Sequence, residues 1–417
     1  MEPASARQPI RVRCCVAGGG PAGVMAGFLL ARAGIETLVL EKHHDFLRDF
    51  RGDTVHPSTL DVMGELGLLD ALLELPHQEL REIHGQIGDT EVKLADFSHL
   101  PTRCRFLALM PQWDFLEFLA EQGRRFPAFQ LRLDAEVHDL VEENGEVAGV
   151  RVKSPQGAFQ VAADLVIAAD GRHSTVRARA GLEIQDLGAP IDVLWMRLSK
   201  QPQDPPQSLG RIDFGRLLVM IDRGDYWQCG YVIRKGRFAE LRARGLEGFR
   251  GDVARVAPFL RDRLRELEDW DDVKLLSVAV DRLKRWWKPG LLCIGDAAHA
   301  MSPIGGVGIN LAIQDAVAAA NILARPLLDR RLSTHHLRAV QRRRMFPTRV
   351  TQAIQVLLQE RVLDRVLDDD EPVTAPWALR LFNRWPWLRR IPPRVIGIGV
   401  RPEHVRSPAQ PRGAPSG

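Results

Sequence analysis

Apolar and polar positions along this chain follow two periods. Residues 11–41 open with an apolar run from Val12 to Ala17 and a Gly-rich turn. A stretch of helix formers from Pro21 to Ala33 follows, stopped by Gly34, and then a second apolar run, Thr37 to Leu40. The pattern predicts strand, turn, helix and strand in succession, a βαβ opening. Two later apolar runs end in acidic turns. Leu165 to Ala169 leads into Asp170-Gly171, and Leu291 to Ile294 leads into Gly295-Asp296, ahead of an Ala-rich helix predicted from about Asn310 to Leu323. Residues 190–235 change to period two. Leu217-Leu218-Val219-Met220-Ile221, a turn at Arg223-Gly224-Asp225 and the run from Tyr226 to Ile233 read as antiparallel hairpins. Beyond residue 330 the pattern is helical and Arg-rich, and residues 406–417 read as a disordered tail.

Composition narrows the class. The chain has 417 residues, 45% hydrophobic and 26% charged, enough for a large core and too apolar for disorder as its main state. Its net charge of +4 makes nucleic acid an unexpected partner. That charge is uneven. From residue 321 onward 18 arginines face eight acids, a net of +10, so residues 1–320 carry −6. The bland reading of the tail is a docking face against the acids of the body, and a membrane surface is the sharper one. No apolar run reaches 18 residues and no signal sequence opens the chain, so no transmembrane segment and a cytoplasmic location are expected. Cys14, Cys15, Cys104, Cys229 and Cys293 show no metal-ligand spacing and read as reduced core thiols. No metal site is expected.

Three motifs carry chemistry. Gly18-Gly19-Gly20-Pro21-Ala22-Gly23 follows a strand and opens a helix. Gly18 permits a tight turn, Gly20 lets the backbone approach a pyrophosphate, and Gly23 lets helix and strand pack closely. The helix N-terminus then offers N–H groups and positive partial charge to the phosphates. Glu41, 23 residues after Gly18, is placed to accept hydrogen bonds from an adenosine ribose. The second motif is Asp170-Gly171 before a short helix. In the third, a buried strand delivers Asp296 to a loop edge, where its carboxylate can accept from sugar hydroxyls. Gly305, Gly306 and Gly308 expose N–H groups just before a helix, a cluster suited to negative charge on a bound ring.

In order and spacing these motifs resemble the fingerprints of the single-component (group A) FAD-dependent aromatic monooxygenases, the para-hydroxybenzoate hydroxylase-like family. The resemblance covers roughly residues 10–330. It implies an α/β fold: a discontinuous Rossmann-like FAD-binding domain (10–75, 101–185, 281–330), an inserted, mostly antiparallel β-sheet substrate domain (76–100, 186–280) and a helical C-terminal region (331–405). It implies non-covalent FAD, reduced by NADH or NADPH, and O2 as co-substrate. The expected activity is hydroxylation of a phenolic or heteroaromatic compound through a flavin C4a-hydroperoxide.

By that resemblance Gly18, Gly20, Pro21, Ala22 and Gly23 hold the pyrophosphate, Glu41 the ribose, and Arg51 and Gln112 the phosphates and ribityl chain. Asp170 serves FAD and the nicotinamide cofactor, and Asp296 the ribityl chain. Pro303 lies beside the isoalloxazine, and Gly305, Gly306, Gly308 and Asn310 face its N1–C2=O edge. The flavin does the chemistry, so no catalytic residue is assigned. His56 is the one candidate for approach to the flavin or a pocket mouth, and His299 reads as a packing histidine. Trp195, Arg197, Met220, Trp227 and Tyr231 on the predicted hairpins are candidate lining residues.

Two competing readings remain at this stage. One is a flavin dehydrogenase, reductase or epoxidase acting on a polyene or isoprenoid. The other is a non-catalytic protein that binds through its basic tail. Trp385-Pro386-Trp387-Leu388-Arg389-Arg390-Ile391-Pro392 looks like the W-x-W-x-I-P of flavin halogenases, but the Ile is displaced and the segment follows the last flavin motif. A monomer or homodimer is expected, with peripheral membrane contact left open.

Overall fold

The computed structural model describes residues 8–47, 54–205, 209–360 and 385–410. Its main sheet is built on five parallel strands in the order Leu291–Cys293, Phe159–Ala168, Ile10–Ala17, Thr37–Leu40 and Phe129–Arg132. Trp287–Lys288 adds an antiparallel edge, and the hairpin Glu136–Glu143/Glu146–Lys153 pairs with the first half of Phe159–Ala168. The central strands are buried on both faces, which explains their continuous apolar runs. Helix Pro21–Arg32 covers one face and packs against Gly308–Leu328 and Gln112–Arg124. Close approach to the sheet requires Gly27, whose Cβ would lie 2.4 Å from Val39.

A second sheet of seven strands holds Lys274–Leu276, Ile191–Ser199, Tyr226–Arg234, Arg216–Asp222, Leu209–Asp213, Glu82–Ile87 and Thr90–Asp96, in that order. All its pairs are antiparallel except Leu209–Asp213 with Glu82–Ile87. Helices Phe238–Ala243 and Leu246–Val256 and the turn Pro258–Glu266 pack on one face, around Met196, Leu198, Met220 and Trp227. The opposite face carries Val193, Trp195 and Val232 and meets Ile304.

The predicted Ala-rich helix is longer than its pattern suggested, Gly308–Leu328, and continues through Pro326. By length and composition alone Ile304–Leu328 is apolar enough to span a membrane, but most of it is buried in the core. Residues 406–410 are ordered, where the sequence read as a tail. Gln410 N–H donates to the Arg32 carbonyl, and the N–H groups of Arg406 and Ser407 donate to Asn321.

Buried charge ties these parts together. Asp315, on Gly308–Leu328, is fully buried. Its Oδ2 accepts from His299 Nε2 (2.6 Å) and from the Gly295 N–H (3.0 Å), and its Oδ1 accepts from Arg344 Nε (2.8 Å). Glu403 closes the cluster against Arg343 (2.5 Å) and Arg344 (3.5 Å). Burial alone would raise the Asp315 pKa, but His299 and Arg344 overcome it and hold the carboxyl below its ordinary range.

That direction sets a pH dependence. The contribution of Asp315 is present above its unfolded-chain pKa of about 4 and is lost as pH falls through the lower folded value. Asp315→Asn, which leaves the buried Arg344 only the more distant Glu403 as counter-charge, is expected to cost about 3–5 kcal/mol at pH 7. Thermal melts from pH 7 to 3 should show this gap narrowing at the acid end.

Candidate functional site

Because the strands are parallel, the three motifs emerge side by side at the C-terminal edge of the main sheet. The contacts are close. A Cβ on Gly18 (φ +104°) would lie 2.4 Å from the Ala169 carbonyl oxygen, and one on Gly23 would lie 1.9 Å from the Gly18 oxygen. A Cβ on Gly295 (φ +58°) would meet Ala22 at 2.9 Å. No side chain can be added at these three positions without moving backbone or a packed neighbour. Gly20 is different, because its Cβ would meet nothing within 4 Å. The space over Gly20 opens at the first turn of Pro21–Arg32, which has no acidic residue and no side-chain cap. These features fit a phosphate group approaching the turn.

Glu41 is buried beside this turn. Its Oε2 accepts from the Gly19 N–H (2.8 Å) and its Oε1 from the His43 N–H (3.1 Å). Asp170 is also engaged: it accepts from Ser174 Oγ and from the Val176 N–H (3.1 Å), capping the helix Thr175–Arg179. Burial pushes its pKa up. Its local role is structural, and the neighbouring Arg177 joins motifs the sequence reading kept apart. Arg177 is buried and donates to the Ala297 carbonyl (3.3 Å) and the Arg172 carbonyl (2.6 Å). Asp296 sits on the turn Gly295–Ala297 with its carboxylate partly open, 3.8 Å from Arg172. Gln112, half-buried, opens the helix Gln112–Arg124. Arg51 lies outside the described residues.

The loop from Pro303 to Gly308 carries two successive left-handed residues, Gly305 (φ +79°) and Gly306 (φ +62°). It ends at the N-terminus of Gly308–Leu328, which has no side-chain cap and no acidic residue in its first turn. Asn310 departs from expectation. Its Oδ1 accepts from the His56 N–H (3.0 Å) and Thr59 Oγ1 (2.6 Å), while its Nδ2 donates to the Thr54 and Gly306 carbonyls (both 3.3 Å). The amide's bonding capacity is spent inside the protein, so its side chain is not free for a ligand. Gln355 and Gln359, which the sequence reading missed, hold the start of this loop. The Gln355 amide bonds the backbone of Ser302 and Ile304, and Gln359 donates to Ser302 Oγ (2.6 Å).

Strand alternation divides the five candidate lining residues. Trp195 and Arg197 share the face that meets Ile304. Trp195 lies opposite Gly230, which makes room for the indole, and its Nε1 is buried without a hydrogen-bond partner among the described residues. Arg197 sits at the solvent edge of that face, 3.8 Å above the Tyr226 ring. Met220, Trp227 and Tyr231 point the other way, into the core beneath the helices. There Trp227 Nε1 donates to Asp204 (2.8 Å) and the Tyr231 ring meets Phe249 edge-on. They are not lining residues, because period two places them on the opposite side from Trp195.

His56 is fully buried. Its Nδ1 donates to the Ile396 carbonyl (2.8 Å), which leaves Nε2 as an acceptor without a partner among the described residues. Burial lowers its pKa to about 4. Ile396 itself packs on Met301, Val307 and Leu311, so a C-terminal segment closes over the glycine loop. His299 is a packing histidine bound to Asp315, with its ring 5.0 Å from that of Trp286. In the halogenase-like segment Trp385 and Trp387 are exposed on the surface.

The sequence profile of a family described as an FAD binding domain matches residues 11–354. The 6-methylpretetramide 4-monooxygenase of Streptomyces rimosus is 34% identical over 406 residues, 96% of each chain. The 12-dehydrotetracycline 5-monooxygenase/anhydrotetracycline 6-monooxygenase of Streptomyces rimosus subsp. rimosus is 29% identical over 322 residues. That match covers 74% of this chain and 61% of that protein. The solved structure of P. aeruginosa PqsL in complex with 2-aminobenzoylacetate aligns with a TM-score of 0.72 at 22% identity. It covers 86% of this chain and 97% of that one, a likeness of fold.

Two expectations can be measured. Gly20→Val has open space for its side chain, so it should melt like wild type yet bind FAD at least about tenfold more weakly. Gly23→Ala should instead lose several kcal/mol of stability, roughly the cost of a severe core clash. Flavin titration and thermal melts separate the two. For His56, the folded value near 4 lies below the unfolded value near 6.5. Stability should therefore fall by roughly 3 kcal/mol between pH 6.5 and 4, and His56→Gln should flatten that limb of a pH–denaturation series.

Proposed function

From the premise that this chain belongs to the FAD binding domain family, as an FAD-dependent aromatic monooxygenase using O2 and a nicotinamide reductant, we propose that it hydroxylates a polycyclic phenol of the 6-methylpretetramide kind. The supporting similarity runs along nearly the whole of both chains. The observation that carries the reading is the facing of two surfaces. The glycine loop at the uncapped N-terminus of Gly308–Leu328 lies opposite an apolar sheet face whose Trp195 indole N–H has no partner among the described residues.

In this proposal the turn Gly18–Gly23 takes the FAD pyrophosphate and Glu41 the ribose. Gln112 and Asp296, with Arg51, take the ribityl and phosphate region. Asp170 acts through the turn it caps. Pro303 and the N–H groups of Gly305, Gly306, Gly308 and Asn310 meet the flavin ring. Bound reduced FAD supplies the activation of O2. The chain's own residues do the rest. The helix N-terminus stabilises negative charge on the ring system. Val193, Val232 and Ile304 exclude water from the reacting face. Trp195 Nε1 donates to a substrate oxygen and so orients the ring. His56 is neutral at working pH and offers Nε2 as an acceptor near the loop.

We further propose a cytoplasmic site of action, supported by five cysteines that are all free and buried. The test is a set of polycyclic phenols under isotopically labelled O2. Substrate-dependent NADH or NADPH oxidation should deliver one labelled oxygen to the product. Trp195→Phe should raise KM about fivefold, the loss of one neutral hydrogen bond, with kcat little changed. Reductant oxidation that yields only hydrogen peroxide with every phenol tested would sink the proposal.

A further inference from the structure

Helix Thr334–Leu358 buries the apolar Leu337 and Val340 in its first half, but from Arg344 onward it is amphipathic in the inverse sense. Its inward face buries Arg344, Thr348, Gln352 and Gln355, each satisfied internally. Arg344 meets Asp315, Thr348 bonds back to the Arg344 carbonyl, and Gln352 donates to the Asp281 and Ala300 carbonyls. The outward face carries Phe346, Val350, Ala353 and Leu357, at i, i+4, i+7 and i+11. Phe346 is 56% exposed, Leu357 46% and the adjacent Leu358 43%. An ordinary surface helix turns its apolar stripe to the core and its polar stripe to water.

Cations lie along the same helix. A groove of about 800 Å³ separates its flank from the segment 284–287, lined among others by Lys284, Arg285, Trp287, Arg338, Arg342 and Arg349. Lys284 reaches Glu183 (2.7 Å), and Arg285 lies 5.3 Å above the Trp287 ring. Arg338, Arg342 and Arg349 have no ion-pair partner among the described residues. Like charges at i and i+4 repel on a helix, and no described residue supplies these arginines with an anion.

We propose that this face docks on an anionic lipid bilayer. Phe346 and Leu357 enter the headgroup boundary, and Arg338, Arg342 and Arg349 meet lipid phosphates. Exposed apolar side chains flanked by arginines with no ion-pair partner among the described residues fit that surface on both counts. Nucleic acid would satisfy the charge but leave the apolar stripe in water. A second copy docked through this face by two-fold symmetry would set the arginines against themselves. The inner face of the same helix grips the Ser302–Ile304 backbone through Gln355, so the bilayer would lie one helix away from the glycine loop. Docking stands on this pattern alone. Its advantage for an aromatic substrate that partitions into lipid rests on the function proposed above.

The test is flotation of the full-length, FAD-loaded protein with vesicles of phosphatidylcholine alone or with about 30% phosphatidylglycerol, an anionic surface. The protein should float with the anionic vesicles, stay behind with the neutral ones and be released by high salt. Arg342→Glu/Arg349→Glu and Phe346→Ser/Leu357→Ser should each cut the bound fraction roughly tenfold, with the flavin spectrum and melting temperature unchanged. The proposal fails if wild type ignores anionic vesicles, or if the charge-reversed variant floats as wild type does. It also fails if sedimentation finds a dimer that Phe346→Ser turns into a monomer.

Discussion

Asp315 is the point on which the architecture turns. A carboxylate with no solvent access is tolerable only when every oxygen is paired, and here one oxygen holds the Asp296 turn while the other holds Arg344. Through Arg344 and Glu403 the same charge fastens the C-terminal segment of residues 400–407 across the body. The third motif, the long core helix and the C-terminal helix therefore share one buried counter-charge. Much of the positive excess at the end of the chain divides along this line. Arg344 is consumed inside against Asp315, an acid of the body, and Arg343 pairs with Glu403 of the tail itself, while Arg338, Arg342 and Arg349 stay outside.

A second constraint is how closely the strand ends approach one another. Gly18 and Gly295 sit where atoms of another motif occupy the space of a side chain, and Gly23 where the Gly18 carbonyl of its own motif does. Their smallness serves packing, and the packing in turn leaves the space over Gly20 open. One Gly-rich sequence thus contains two kinds of glycine, three that build the cradle and one that leaves room in it. The same economy appears at Asn310, whose four hydrogen bonds hold the strand at Thr54 against the loop.

Much of the fold was legible because periodicity is a local property. The opening βαβ unit, the hairpin around Gly224 and the strand before Asp296 lie within a few residues of where the apolar pattern sets them. The order of the motifs along the chain pointed to the family. The candidate site was legible only in part. Glu41 and Asp170 stand at the expected turns, but their carboxylates are largely engaged by backbone N–H groups. His56 drew notice only as a loop histidine, and nothing local announced that Ile396, 340 residues away, would fix its tautomer.

What the chain determined by itself were the quantities set by near neighbours: strand and helix periods, the turn glycines, the charge of the tail. Tertiary structure decided direction. Period two says that a strand has two faces, and only the packing of Leu246–Val256 on one of them shows that Met220, Trp227 and Tyr231 are core while Trp195 faces the loop. Helix Thr334–Leu358 is the clearest case. Its sequence gives no inward side, because Gln352, Gln355 and Arg344 become interior only when carbonyls and a carboxylate from distant segments satisfy them. Burial of a polar group depends on its partners, and those partners are brought to it by the fold.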